Sequence, residues 1–302
     1  MSAHRAGFAA IVGRPNVGKS TLLNRLLGQK LAIVSPKPQT TRGRVLGVVT
    51  RPDAQVALLD TPGLHTARGG LNARMVQAAL QVLADADVAL FLIEAGLPAI
   101  DAATRKALDQ VKAAGKPTLL VINKIDQMPR ARLLPLIDRW KDLHAWTEVY
   151  PLSALTGENV GPFLDAVVGH LPEAPPMFPP EQFTDASERD LCGELVREQI
   201  LRQTEKEVPY SAAVLVEEFD ESRRSEGPRG LVRITATIVL ERDSQKAIVI
   251  GKGGSRLKQI GTRARIEMER LLGAKVFLQL HVRVEPGWTQ SAKGLHRAGY
   301  ED

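Results

Sequence analysis

Gly13-Arg14-Pro15-Asn16-Val17-Gly18-Lys19-Ser20 is the stretch on which the reading of this chain turns. It follows the apolar run Phe8–Val12 and opens the amphipathic stretch Lys19–Leu27, so it lies where a strand hands over to a helix. Gly13 and Gly18 let backbone N–H groups approach phosphate oxygens, and the N-terminus of the helix adds partial positive charge. Lys19 can reach the outer phosphates, the Ser20 hydroxyl suits Mg²⁺, and Thr21 follows on the same turn. The spacing calls for a nucleoside triphosphate and leaves the base open.

Three further stretches follow strand-like runs. Asp60-Thr61-Pro62-Gly63 comes directly after Val56–Leu59. A carboxylate there can hold Mg²⁺ through water, and Gly63 can bring its N–H to a γ-phosphate. Asn123-Lys124-Ile125-Asp126 follows Thr118–Ile122, and Ser153-Ala154-Leu155 follows a strand ending near Leu152. A carboxylate at Asp126 can accept hydrogen bonds from the N1–H and N2–H₂ edge of guanine. Adenine lacks that pattern, and an unpaired buried carboxylate would penalise it. Each stretch alone is weak. In this order, at strand ends along one sheet edge, they point to a guanine nucleotide.

Around these motifs the first half alternates strands and helices. Strands are expected at Phe8–Val12, Val45–Thr50, Gln55–Leu59, Asp87–Glu94, Thr118–Asn123 and Glu148–Leu152. Helices are expected at Lys19–Leu27, Leu71–Ala84, Ala102–Ala114, Arg130–His144 and Val160–His170. That order implies an α/β domain with a mixed, mostly parallel sheet. Val45–Thr50 and Gln55–Leu59, joined by Arg-Pro-Asp-Ala, read as a hairpin and supply one antiparallel strand. A first domain over 1–171 then gives way to a linker over 172–184, whose prolines keep it extended.

Beyond the linker the pattern is α+β: helix Ser187–Gln203, strands Ala212–Phe219 and Leu231–Glu241, an apolar turn Lys246–Ile250, helix Ser255–Leu272 and strand Val276–Val284. This second domain spans 185–285, with a tail over 286–302. Ile250-Gly251-Lys252-Gly253-Gly254-Ser255-Arg256 opens the second of these helices, and Lys258 continues it. Glycines permit close passage of a sugar-phosphate backbone, Lys252 brings charge, and the helix N-terminus favours phosphate. Apolar Ile250, Leu257 and Ile260 could floor a groove for unstacked bases.

The 302 residues, 44% hydrophobic and 25% charged, suit two soluble domains and exclude a disordered or fibrous chain. The apolar run Val88–Ile93 is far shorter than the roughly 20 residues a membrane span needs. A single cysteine, Cys192, excludes an internal disulfide, and the start of the chain lacks an apolar signal core, so a cytosolic protein is expected. Cys192 reads as a small buried apolar residue, and His281 has no zinc-ligand spacing. Net charge is +7 over 1–172, −7 over 173–241 and +8 over 242–297, so the glycine turn lies in the most basic of these segments. Aromatic residues are few there, which leaves base stacking on rings a minor part, with Trp288 and Tyr300 read as tail-packing residues.

The four motifs of the first half together resemble the translation-factor-like class of GTPases over residues 5–171. The resemblance implies that Asn123 and Asp126 read the base, that Lys124 packs along the nucleotide and that the Ala154 N–H meets the guanine oxygen. Pro38-Gln39-Thr40-Thr41-Arg42 looks like the first switch, with Thr41 rather than Thr40 completing a Mg²⁺ shell of Ser20, Thr41 and Asp60. Lys19, Thr41 and Gly63 would carry the catalytic contacts. Ras-like relatives place a water-orienting glutamine after Asp-x-x-Gly; here Leu64 stands there and cannot orient water, so unaided hydrolysis is expected to be slow. His65 reads as a solvated switch residue rather than a base. Relatives with Pro-Asn in the phosphate loop often use K⁺, so Asn16 either binds K⁺ or braces the loop.

The second half resembles a type II K-homology (KH) domain. One such GTPase domain joined to one KH domain is similar, over essentially the whole chain, to the Era-type GTPases. That likeness implies a GTP/GDP- and Mg²⁺-dependent switch that binds the single-stranded 3′ end of 16S ribosomal RNA and acts in assembly of the 30S subunit. It also implies loose electrostatic contact with the inner membrane; a monomer that does not bind DNA is expected. A GTP-driven metabolic enzyme would need a second catalytic pocket, for which residues after 172 offer no nucleophile–base pair. A sister assembly GTPase with tandem G domains fits less well with one phosphate loop, and a membrane-surface switch would need a stronger anchor.

Overall fold

In a computed structural model of the chain, residues 4–38, 40–63, 70–97, 100–227 and 229–298 are described. Setting aside two short segments, the chain divides into two compact units, one ending at Asp185 and the other starting at Ala186. Each is built on its own sheet.

The first unit runs β1 (Arg5–Gly13), α1 (Lys19–Leu27), β2 (Val45–Thr50), β3 (Ala54–Asp60), α2 (Gly70–Asp85), β4 (Val88–Glu94), α3 (Ala102–Ala114), β5 (Thr118–Asn123), α4 (Leu133–Lys141), β6 (Glu148–Pro151) and α5 (Val160–Gly169). The strand order is β2-β3-β1-β4-β5-β6. Only the β2–β3 pair is antiparallel, as the hairpin reading requires. The central strands are buried on both faces, which is why they read as continuous apolar runs such as Val88–Ile93. Helix ends fall where the local chemistry puts them. Asp101 caps α3 by accepting from the Thr104 N–H at 2.8 Å, and left-handed Gly115 ends it. The helix expected over Arg130–His144 is shorter: a 3-10 turn at Arg130–Arg132 precedes α4, which ends at Lys141.

The proline-rich stretch is not a free spacer. Ala6 donates to the Pro172 carbonyl at 3.1 Å, Ala174 donates to the His4 carbonyl at 3.0 Å, and Val48 donates to the Phe183 carbonyl at 2.9 Å. Gln55, fully buried, holds its middle: Oε1 accepts from Met177 N (2.7 Å) and Phe178 N (2.8 Å), while Nε2 donates to the Phe178 carbonyl at 2.9 Å. Residues 172–185 are thus a strap of the first unit. Prolines suit it, because the strap takes its hydrogen bonds at a few fixed points rather than along a ladder. Gln55→Ala leaves two strap N–H groups and a carbonyl without partners and should lower unfolding stability by about 2–4 kcal/mol. Urea denaturation checks this, and a change within experimental error would mean the strap is held elsewhere.

The second unit runs α6 (Glu188–Gln203), β7 (Ala213–Arg223), β8 (Leu231–Leu240), α7 (Asp243–Ile250), α8 (Ser255–Leu272), β9 (Lys275–Val284) and α9 (Ala292–Arg297). The sheet order is β7-β8-β9, with β8 antiparallel to β7 and parallel to β9. Its core gathers Cys192, Val196 and Ile200 of α6, Ile234 and Ile238 of β8, and Ile260, Ala264 and Met268 of α8. Burial pushes the Cys192 thiol up to about 12, so it sits there as an inert apolar group.

Two features differ from expectation. The apolar turn expected at Lys246–Ile250 is the end of a full helix, α7, whose start is fixed by Gln245 Oε1 accepting from Glu241 N (3.0 Å) and Arg242 N (3.2 Å). In the tail, Trp288 packs as expected, fully buried with its Nε1 donating to the Ser211 carbonyl at 3.0 Å, but the helix α9 that follows was not expected. Tyr300 lies outside the described residues.

Candidate functional site

Strand β1 lies between β3 and β4, so the chain reverses direction across the sheet beside its C-terminal end. Such a reversal is the position at which an α/β sheet binds its ligand. The loops after β1, β3, β5 and β6 all reach this edge, and they carry the four motifs.

The phosphate loop is wound around backbone turns that few residues tolerate. Gly18 has φ 101°, and a Cβ there would lie 2.2 Å from Asn123 Nδ2. Asn16 is left-handed, with φ 66°. Lys19 is buried, and its Nζ donates to the carbonyls of Gly13 (3.2 Å) and Arg14 (3.1 Å). Burial pulls Lys19 down to about 8, and the charge of Asp60 only partly offsets this. Burial likewise raises Asp60, against the pull of Lys19 and of the Ser20 and Thr41 hydroxyls. Both groups are strained toward neutrality, a strain that phosphate and a cation would relieve.

Three oxygens converge beside Lys19. Ser20 Oγ donates to Asp60 Oδ2 at 2.6 Å, Thr41 Oγ1 donates to the same oxygen at 3.2 Å, and the two hydroxyls are 3.0 Å apart. Asp60 Oδ1 is buried without a hydrogen-bond partner among the described residues. A hard, oxygen-only donor set with an orphaned carboxylate oxygen fits Mg²⁺. Thr40 takes no part, because its hydroxyl donates to the Lys37 carbonyl at 2.7 Å. Thr61 braces the following turn by donating to the Ile11 carbonyl at 2.9 Å, and Gly63 lies so close to Pro15 that a Cβ would come within 2.7 Å of it. Leu64 and His65 lie outside the described residues.

At the base end Asp126 is exposed; its Oδ1 accepts from Ser153 Oγ at 2.5 Å. Asn123 is anchored through both atoms of its amide, which keeps a second Nδ2 hydrogen for a base. Its Nδ2 donates to the Val17 carbonyl (2.8 Å) and its Oδ1 accepts from Ala154 N (2.9 Å), so the amide ties the phosphate loop to the loop after β6. Ile125 is half-buried and Leu155 exposed. Lys124 Nζ donates to the Asn16 carbonyl and to Glu94 Oε2, each at 2.8 Å.

Sequence reasoning missed several residues of this site. Arg25 of α1 holds the last loop by donating to the Ala154 carbonyl at 3.1 Å and to the Leu155 carbonyl. Glu94 and Asp101 bind Arg14. Their partners are distant in sequence, so only the folded sheet brings them together.

In the second unit, Gly253 and Gly254 have φ 58° and 78°, and these left-handed turns start α8. Lys252 and Lys258 are exposed, Ile250 is half-buried, and Arg256 donates to the Ile248 carbonyl at 2.6 Å. A cleft of about 750 Å³ is lined by Gly251, Lys252, Ser255, Arg256 and Lys258, and continues along α8 past Gln259, Thr262 and Arg263. The last three were not singled out from the sequence, although Gln259 stands four residues after Ser255, Thr262 four after Lys258 and Arg263 four after Gln259, on one helix face. Ile250, Gly253 and Gly254 shape the turn without lining this cleft.

Residues 8–124 match the family model described as 50S ribosome-binding GTPase, and residues 207–289 match the KH domain model. "GTPase Era" of Syntrophus aciditrophicus is 46% identical over 298 residues, covering 99% of this chain and 96% of that protein. "GTPase Era" of Coxiella burnetii is 48% identical over 298 residues, covering 98% of each. A crystal structure of Era in complex with MgGDPNP and nucleotides 1506–1542 of 16S ribosomal RNA superposes with a TM-score of 0.93 at 42% identity, covering 99% of this chain and 100% of that one. A single-residue variant of Aquifex aeolicus Era bound to GDP and AlF₄⁻ gives 0.92 at 42% identity, covering 99% of this chain and 100% of that one. With a phosphate loop, an Mg²⁺-ready oxygen cluster and a glycine turn matched along its whole length, the chain belongs to the Era family of GTPases.

Proposed function

We propose that this protein is a GTP-hydrolysing switch that binds the 3′ end of 16S ribosomal RNA and acts in assembly of the 30S subunit. The observation that carries the reading is the end-to-end likeness to an Era crystallised with MgGDPNP and that RNA segment. Lys19 holds the outer phosphates, and Ser20, Thr41 and Asp60 hold Mg²⁺, which neutralises charge on the phosphates when bound. Asp126 reads the guanine edge, while Asn123 keeps the base loop and phosphate loop in step. Gly63 brings its N–H to the γ-phosphate. Lys252, Arg256 and Lys258 take RNA phosphates along the cleft. No helix among the described residues is long and apolar enough to cross a membrane. We place the protein in the cytoplasm, with salt-sensitive contact to the inner membrane. Fluorescence anisotropy with an RNA of nucleotides 1506–1542 tests the RNA half: saturable binding that a scrambled RNA of equal length does not match is expected, and equal affinity for both sinks the assignment.

Lys19 gives a pH prediction. In the free protein it loses its proton near pH 8, whereas phosphate oxygens beside it favour the charged form and raise its pKa. Nucleotide binding above pH 8 therefore takes up a proton, and GDP affinity should fall with rising pH by up to about tenfold per unit. Below pH 8 Lys19 is already charged and contributes no slope. Calorimetry in buffers of different ionisation enthalpy reads the proton uptake directly; none at pH 9 would contradict the assignment. For Asn16 the reading is a K⁺ ligand, tested by hydrolysis in K⁺ against Na⁺ at equal ionic strength. Faster turnover in K⁺ is expected, and equal rates leave Asn16 as a brace.

A further inference from the structure

Glu94 ends β4, in register with Asn123 on β5, and its carboxylate serves two loops at once. Oε1 accepts from the Arg14 guanidinium of the phosphate loop, and Oε2 accepts from Lys124 Nζ of the base loop at 2.8 Å. Arg14 is held from its other side by Asp101 Oδ2 at 2.7 Å, and Asp101 is itself fixed as the cap of α3. Lys124 closes the circuit on the phosphate loop through the Asn16 carbonyl. The Arg14 and Glu94 side chains are each 24% exposed and that of Lys124 29%, so water only partly screens the contacts. Burial works against the charge on Glu94, but Lys124 and Arg14 together hold its carboxyl below the usual range.

We propose that Glu94 is a positioning residue for the nucleotide: it clamps Arg14 and Lys124 to one carboxylate and so fixes the distance between the phosphate contacts and the base contacts. This rests on the guanine-nucleotide reading above. A nucleotide must satisfy both ends of the site together, and its span is set by its own covalent geometry. Two loops held at the matching separation bind it without ordering at that moment, whereas two unclamped loops lose entropy on binding. Without Glu94, Arg14 and Lys124 are also two like charges with no counter-ion between them. GDP and GTP share the base and the first two phosphates, so the clamp serves both alike. It adds nothing that appears only in the transition state.

Glu94→Gln keeps the shape and removes the charge. It should raise the KM for GTP and the Kd for GDP by about ten- to a hundredfold while kcat stays within about threefold. Glu94→Asp, which keeps the charge but is one methylene too short to meet both cations, should fall between the two. If Glu94 acts through Arg14, the Glu94→Gln, Arg14→Gln double variant should bind GDP about as weakly as the worse single variant, and not as the product of both losses. A KM within about twofold of wild type, or a loss confined to melting temperature, overturns the proposal. Failure of the wild-type protein itself to prefer GDP over ADP would instead overturn the guanine reading, so the two failures are distinguishable.

Discussion

Asp126→Asn should turn a GTP site into one that favours XTP. The carboxylate of Asp126 is exposed, and its Oδ1 is positioned by the Ser153 hydroxyl at 2.5 Å. An asparagine there still offers an oxygen to Ser153, so the loop should hold its shape. What it loses is the negative acceptor proposed to pair with the N1–H and N2–H₂ of guanine. Hydrogen bonds to charged groups contribute about 1.5–3 kcal/mol, so GTP affinity should fall by about tenfold to over a hundredfold. Xanthine presents a carbonyl in place of the 2-amino group, and the asparagine amide can donate to it, so XTP should improve. Competition binding with labelled GDP reads both changes. GTP affinity within about twofold of wild type would mean that Asp126 does not touch the base.

Lys252→Asp combined with Gly253→Asp should abolish RNA binding while leaving the GTP site intact. Gly253 has φ 58°, a region where aspartate is among the better-tolerated side chains, and a Cβ there would meet nothing within 4 Å. Two acids at the start of α8 also suit the positive end of the helix, so the unit should keep its fold. Toward RNA the change is severe. The lysine assigned to phosphate becomes a repelling carboxylate, and a second carboxylate stands on the neighbouring turn residue. An affinity loss of about a hundredfold or more is expected, together with a shallower dependence on salt because fewer counter-ions are released. Unchanged RNA affinity, with GDP binding also unchanged, would move the RNA site away from the glycine turn.

Legibility in the sequence followed the range of the interactions. Helices α1 and α3 match their expected bounds because their punctuation is local: Gly18 and Gly28 flank one, Asp101 and Gly115 the other. The phosphate loop was legible for the same reason, since its glycines, lysine and serine lie within eight residues. Helix α7 was missed although Arg242-Asp243-Ser244-Gln245 carries a start signal, because the apolar end Ala247–Ile250 drew the reading toward a turn. The strap was misread for a deeper reason. Its partner Gln55 lies 122 residues upstream of Met177, and nothing in a run of prolines announces a buried amide elsewhere. Glu94 and Asn123 show the same limit within the site. Glu94 carries no motif, and its pairing with Arg14 exists only because β1 and β4 are neighbours. Asn123 belongs to a motif, but the motif could not say that its amide would also tie Val17 to Ala154.

The most direct test of the account is a crosslinking map of the RNA bound by this protein in its own cells, with the Lys252→Asp, Gly253→Asp variant run in parallel. The account predicts crosslinks concentrated at the 3′ end of 16S ribosomal RNA for the wild-type protein and their loss in the variant. Crosslinks concentrated elsewhere, or a 3′-end signal that survives in the variant, would contradict it.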